Sequence, residues 1–217
     1  MPKYLNKEKN LFQESLDSFI YVDKSPLIEI LNKCIKTKQK YFCLSRPRRF
    51  GKSVTAQMLC SYYSRGEDSS SQFDSLKIAK SPSYKKHLNQ YNVIFINMSL
   101  EFNSARHDVN QMISSVTSSI VKELKEAYPQ VVFNSPDKLY EALDDVFSVS
   151  KVPFVFIIDE WDRIMREKKE DAQSLKLYLE WLEGIFKDQS YIALAYMTGI
   201  LPIKKYGNQS ALNMFNE

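Results

Sequence analysis

The stretch Tyr41-Phe42-Cys43-Leu44-Ser45-Arg46-Pro47-Arg48-Arg49-Phe50-Gly51-Lys52-Ser53-Val54 decides the fold. An apolar run ends in a basic turn, and Gly-Lys-Ser then opens a helix-compatible segment over residues 54–63. A strand that passes through a short loop into a helix is where a phosphate loop is built. Gly51 lets the backbone approach an oxygen closely, and successive N–H groups at the helix N-terminus receive anionic phosphate. Lys52 is then placed to reach the β- and γ-phosphates, and the Ser53 hydroxyl to ligate magnesium. The first glycine of the usual pattern is absent, with Arg46 in its place. Gly-Lys-Ser alone is a weak signal, since a solvated basic turn reads the same way.

A second motif decides between those readings. Phe154-Val155-Phe156-Ile157-Ile158-Asp159-Glu160 is a hydrophobic strand that ends in two adjacent carboxylates. A parallel strand delivers its carboxyl end to the sheet edge where ligands bind. Asp159, at the Walker B position, is placed to hold magnesium directly or through water, complementing Ser53. Glu160, one residue on and pointing differently, suits a general base that polarises the attacking water. The bland alternative is that Asp159 and Glu160, with Asp162, merely open a helical turn, where acids favour the N-terminal dipole. The 107-residue step from Lys52 to Asp159 leaves room for a whole strand and two helices.

Four apolar runs, residues 41–45, 93–100, 153–158 and 191–198, read as strands. They are nearly continuous rather than alternating, as expected for a parallel sheet covered on both faces. Helical faces lie between them: Val109, Met112, Ile113, Val116, Ile120 and Leu124; then Leu139, Leu143 and Phe147; then Leu175, Tyr178, Leu182 and Phe186. Ser135 followed by Pro136 predicts a capped helix over 136–148. Residues 65–71, with Gly66 and three serines, read as a mobile surface loop. The fold class is therefore a three-layer α/β sandwich.

The chain has 217 residues, 44% of them hydrophobic, with a net charge of +4. That excess is too small to argue for a nucleic-acid groove. No run approaches the ~20 apolar residues of a membrane span, and the lysine-rich N-terminus has no signal core, so the expected location is cytoplasmic and no membrane partner is expected. Cys34, Cys43 and Cys60 match no zinc spacing and read as reduced structural thiols. His87, His107 and Trp181 are assigned no site role.

With these motifs in place, the sequence resembles the bacterial and archaeal AAA-ATPase-like family. Full-length members of that family generally carry a C-terminal domain similar to PD-(D/E)XK nucleases. The resemblance covers nearly the whole chain. It rests on Tyr21-Val22-Asp23-Lys24-Ser25, on Ser45-Arg46-Pro47-Arg48-Arg49-Phe50-Gly51-Lys52-Ser53, and on Ile157-Ile158-Asp159-Glu160-Trp161-Asp162. Thr198-Gly199-Ile200-Leu201-Pro202-Ile203 and Ser210-Ala211-Leu212-Asn213-Met214-Phe215 complete it. Arg46 in place of the first glycine is typical of the family, whereas Trp161 stands where tyrosine is commoner.

The resemblance implies a P-loop ATPase of the additional-strand (ASCE/AAA) type. Residues 1–40 would lead into a core over 41–217, truncated after the sensor-type strand and lacking the lid and nuclease-like domain that follow in the family. ATP and magnesium are the implied cofactors, bound by Arg46 to Val54, with Ser53 and Asp159 on the metal and Lys52, Glu160 and Thr198 as catalytic residues. Strand 191–198 should separate the Walker B strand from the P-loop strand. Thr198 at its tip either senses the γ-phosphate or orients water, or it satisfies local backbone. A flanking fifth strand is expected for the type but not found after residue 198, which leaves strand 41–45 with an open edge and predicts self-association.

Tyr21 either stacks on the base or belongs to a core-anchored segment in which Asp23 caps a helix over 26–35. Arg46, Arg48 and Arg49 either contact nucleotide phosphates, pair with acids of the same chain, or meet an acidic partner surface or a nucleic acid on which the nuclease-like domain acts, with phosphate or intramolecular pairing the economical reading. Arg163 and Arg166 stand near the Walker B end with nothing to select either as an arginine finger. Three functional readings follow: an ATPase that regulates a nuclease-like effector, a nucleotide switch with negligible turnover, and an inactive interaction module.

Overall fold

The computed structural model describes residues 2–7, 10–203 and 211–217. Ser210 of the resemblance therefore lies outside the described residues. In chain order the elements are α1 (Asn10–Leu16), α2 (Pro26–Cys34), β1 (Tyr41–Ser45), α3 (Lys52–Tyr63), α4 (Ser70–Phe73), α5 (Tyr84–His87), β2 (Asn92–Asn97), α6 (Met98–Ser104), α7 (Val109–Ala127), α8 (Leu139–Ser150), β3 (Phe154–Asp159), α9 (Arg163–Glu167), α10 (Ala172–Phe186) and β4 (Ile192–Gly199), with a 3-10 turn at Lys77–Lys80 before α5. The four strands form one parallel sheet in the order β1-β4-β3-β2. The mixed α/β class and the interposed β4 are as the sequence leads one to expect.

Two apolar cores cover the sheet, and alternate strand residues enter each. Ile94, Ile96, Phe154, Phe156, Ile158 and Met197 pack with α7, α8 and α10. Val93, Phe95, Val155, Ile157, Leu194 and Tyr196 pack with α1, α2 and α3 on the other face. Both faces are therefore dry, which is why the strands read as unbroken apolar runs. Cys43 and Cys60 are buried and all three cysteines are thiols outside any disulfide, with burial pushing the Cys43 thiol up to about 12.

Several local expectations change. Strand β2 stops at Asn97 because the Asn97 side chain accepts from the Leu100 backbone N–H and starts α6. The helix expected from Pro136 begins at Leu139, and residues 136–138 form a turn closed by Lys138 N–H on Ser135 O at 3.0 Å. Asp23 does not cap α2. Its carboxylate accepts from the Ser25 and Lys77 backbone N–H groups at 2.8 and 2.9 Å, tying the approach to α2 to the 3-10 turn. Within the loop at 65–71, Ser69 is buried and donates to Ser61 O at 2.9 Å, and α4 begins at Ser70.

The expected open edge of β1 is also revised. Asn216 accepts from Cys43 N–H at 2.8 Å and donates to Tyr41 O at 2.9 Å, a single parallel bridge on the outer side of β1. Buried Ala211, Leu212 and Phe215 carry the chain there, and the Phe215 ring lies 5.4 Å from Tyr41 and 5.3 Å from Phe186. At the far edge Leu5 bridges Ile94 in antiparallel fashion, and Glu123 gathers the backbone N–H groups of Lys3, Tyr4 and Leu5 at 2.7 to 3.0 Å.

Candidate active site

The site forms at the carboxyl end of the sheet, and the tip of β4 organises it. Gly199 O accepts from the Arg46 N–H at 3.1 Å, where the loop leaves β1. Thr198 O accepts from the Trp161 N–H at 3.0 Å, just after β3 ends. Neighbouring carbonyls on one strand thus fasten the starts of both chemical motifs.

The loop has two residues in the left-handed region, Arg49 at φ +68° and Gly51 at φ +69°. Gly51 precedes the helical Lys52, and a left-handed residue followed by a helical one turns successive N–H groups toward a common point, an anion-binding concavity. Lys52 donates from Nζ to Arg46 O at 2.9 Å and Pro47 O at 2.8 Å, so its ammonium lies over the loop's first peptides. Ser53 is exposed at the first turn of α3 and Val54 is half-buried. Arg46, Arg48, Arg49, Pro47 and Phe50 are exposed. Among the described residues none of the three arginines joins an ion pair, so the intramolecular pairing entertained from sequence is not formed.

Asp159 closes β3 and is buried. Its Oδ1 accepts from the Thr198 hydroxyl at 2.5 Å and the Glu160 N–H at 3.1 Å, while Asn97 Nδ2 stands 3.4 Å from Oδ2. All these donors are neutral. A buried carboxylate held only by neutral donors is costly unless a cation reaches it, which fits the donor set of a metal site. The Thr198 hydroxyl is spent on Asp159. Thr198 therefore does more than satisfy local backbone.

Glu160 sits at φ +55°, strained for a side chain bearing a Cβ. Its Oε2 lies 3.5 Å from Arg166 Nη2. Arg166 makes its shorter contact, 3.0 Å, from Nε to Asp162 Oδ2, and Arg163 pairs with Glu167 at 2.6 Å, so both arginines are engaged within the chain.

Asp162 is the residue that sequence reasoning undervalued. It is fully buried, and its Oδ2 also accepts from the Ile200 and Leu201 N–H groups at 3.1 and 3.0 Å. It ties the turn after β3 to the chain leaving β4, while its Oδ1 has no hydrogen-bond partner. Gly199 permits this closeness, because a Cβ there would stand 2.6 Å from the Trp161 indole nitrogen and 2.9 Å from Asp162 Oδ1.

Tyr21 turns toward its own segment. Its ring meets Phe12 edge-on at 6.1 Å, and burial, reinforced by Asp23, pushes its phenol up to about 12. The stacking role is thus not prepared in this geometry, and the core-anchored alternative holds for Tyr21 alone, since Phe19, Ile20 and Val22 are exposed and Asp23 does not cap α2. A cleft elsewhere lies between the N-terminal segment, Arg65 to Glu67 and the last turns of α7.

A family model described as a predicted AAA-ATPase matches residues 10–207. The chain belongs to this AAA-ATPase-like family. No curated protein and no solved structure matches it. Among the described residues no helix is long and apolar enough to cross a membrane.

Proposed function

We propose that the chain binds ATP with magnesium at the loop 46–54 and hydrolyses the γ-phosphate, and that this cycle regulates a nuclease-like domain in the full-length protein. The observation that carries the reading is the tip of β4, whose carbonyls at 198 and 199 fasten the Walker B turn and the phosphate loop side by side. Membership in a family of predicted ATPases supports it.

In this reading the N–H groups from Gly51 onward receive phosphate oxygens, and Lys52 exchanges the Arg46 and Pro47 carbonyls for the β- and γ-phosphates. Ser53 and Asp159 hold the magnesium, which supplies charge neutralisation to the phosphates when bound. A magnesium site built from one or two side chains plus phosphates needs no larger cage. Thr198 fixes the Asp159 carboxylate. Glu160 orients water and accepts its proton, and Arg166 sets where the Glu160 carboxylate stands.

The Arg166 contact favours a second reading, a nucleotide switch with negligible turnover, because a glutamate paired with a guanidinium is a poorer base. Steady-state phosphate release, with ATP affinity measured in parallel, separates the two. Glu160→Gln is expected to keep ATP binding and lower turnover well below that of the parent. A parent that binds ATP without releasing phosphate establishes the switch. Lys52→Ala is expected to abolish binding, and equal affinity of mutant and parent overturns the site.

A further inference from the structure

We propose that Lys24, outside the phosphate loop, is a second ammonium that contacts the nucleotide phosphates. The inference rests on the reading of residues 46–54 as a phosphate loop and adds a binding residue that no P-loop pattern contains.

The segment Tyr21-Val22-Asp23-Lys24-Ser25 is built to aim one side chain. Asp23 grips the Ser25 and Lys77 N–H groups, and the buried Ser25 hydroxyl accepts from Ile78 N–H at 3.1 Å. The Lys24 backbone carbonyl accepts from Leu27 N–H at 3.1 Å, at the entry to α2. The Asp23 and Ser25 side chains are thus spent on anchoring the backbone, while the Lys24 side chain leaves toward the loop. Its Nζ donates to Phe50 O at 2.6 Å. A Cβ on Gly51 would come within 2.5 Å of the same Nζ, so the ammonium lies against the bare backbone face of the glycine that opens the cradle.

The two lysines bracket the loop, Lys52 on the carbonyls of Arg46 and Pro47 and Lys24 on that of Phe50. Among the described residues no carboxylate forms an ion pair with Lys24. An ammonium held without a counter-charge beside a ring of N–H donors raises the local attraction for anions, and a charged partner replaces a carbonyl with a stronger, charge-assisted bond. A side-chain rotation carries Nζ from the Phe50 carbonyl to a phosphate oxygen in that ring. The ligand class is a nucleoside di- or triphosphate.

The test measures ATP and ADP affinity by calorimetry for the full chain, Lys24→Met, Lys24→Arg and Lys52→Ala, at several salt concentrations, with unfolding midpoints as controls. Lys24→Met is expected to weaken both nucleotides at least about tenfold, the effect of one charge-assisted hydrogen bond. Lys24→Arg should stay within about threefold of the parent, and the parent's affinity should fall more steeply with salt than that of Lys24→Met. If the parent binds ATP and Lys24→Met binds it equally, the Lys24 proposal falls and the loop assignment stands. If Lys24→Met is weaker but its salt dependence is unchanged, the lysine only tethers Phe50 and the proposal also falls. A parent that binds neither nucleotide overturns the loop reading and the proposal together.

Discussion

The Thr198 hydroxyl donates to Oδ1 of Asp159 at 2.5 Å, with both residues buried at the carboxyl end of adjacent parallel strands. The bond couples the strand that ends in Asp159 to the strand whose Gly199 carbonyl fastens the start of the loop at Arg46. Asp159 thereby keeps one orientation, with Oδ1 occupied by Thr198 and the Glu160 N–H and Oδ2 facing Asn97.

Removing that donor leaves a buried carboxylate oxygen short of a partner. Thr198→Val is expected to cost about 1 to 3 kcal/mol of stability and to weaken the magnesium dependence of ATP affinity. Thr198→Ser should recover most of both. Urea unfolding and ATP titrations with and without magnesium check this. Lost turnover with unchanged stability and unchanged magnesium dependence would instead assign Thr198 to the γ-phosphate.

Arg166 offers a sharper stability test. Its Nε holds Asp162, which has no exposure to solvent, and Asp162 in turn holds two backbone N–H groups after β4. Breaking a buried pair from one side leaves an uncompensated charge, so Arg166→Met is expected to destabilise the fold by about 3 kcal/mol. The double variant Arg166→Met with Asp162→Asn should lose less than the sum of the two single changes. Additive losses would mean that the pair contributes nothing.

The segments that contain β1, β3 and β4 were legible in the sequence for one reason. Each couples a dry strand, which leaves an unbroken apolar run, to a polar motif at its carboxyl end. Asp162 was legible only as a first-turn acid, because its true partners, the N–H groups of Ile200 and Leu201, are backbone and carry no side-chain signature. Lys24 escaped for a related reason, since its partner is the Phe50 carbonyl. The Ser135-Pro136 pair misled because the same dipeptide suits a turn as well as a helix start. Asn216 covers an edge by a single bridge, too short to show any strand period.

His87 gives a pH dependence with a definite sign. Its ring is buried against Tyr91, with 2.6 Å between Nδ1 and the phenol oxygen, and burial, then Lys86 and Lys36, hold its pKa below the ordinary value. The unfolded chain therefore binds the proton more readily. The contribution is fully present above about pH 6.5 and is lost as pH falls below it, with a slope of at most about 1.4 kcal/mol per pH unit. His87→Gln should flatten the stability curve between roughly pH 6.5 and 5. An identical slope in the variant would show that other groups carry it.

The last prediction concerns the outer edge of β1. Asn216 exchanges two backbone hydrogen bonds with Tyr41 and Cys43, and Ser45 donates to Glu217 Oε1 at 2.9 Å, immediately before the loop begins at Arg46. Deleting residues 211–217 removes these bonds and uncovers the apolar ground held by Ala211, Leu212 and Phe215. Burying one large apolar side chain is worth about 1.5 to 3 kcal/mol, so losing Leu212 and Phe215 together should lower stability by several kcal/mol. The uncovered edge then presents free N–H and C=O groups to a second chain, the arrangement that favours edge-to-edge pairing. Sedimentation should find the shortened chain associating where the 217-residue chain associates less, and ATP affinity should drop because β1 positions Arg46 and the loop after it. Phe215→Ala separates the two effects, since it weakens the anchor while leaving the Asn216 backbone able to pair. Equal sedimentation and equal affinity for the shortened and full chains would show that β1 holds the loop without help from the segment after residue 210.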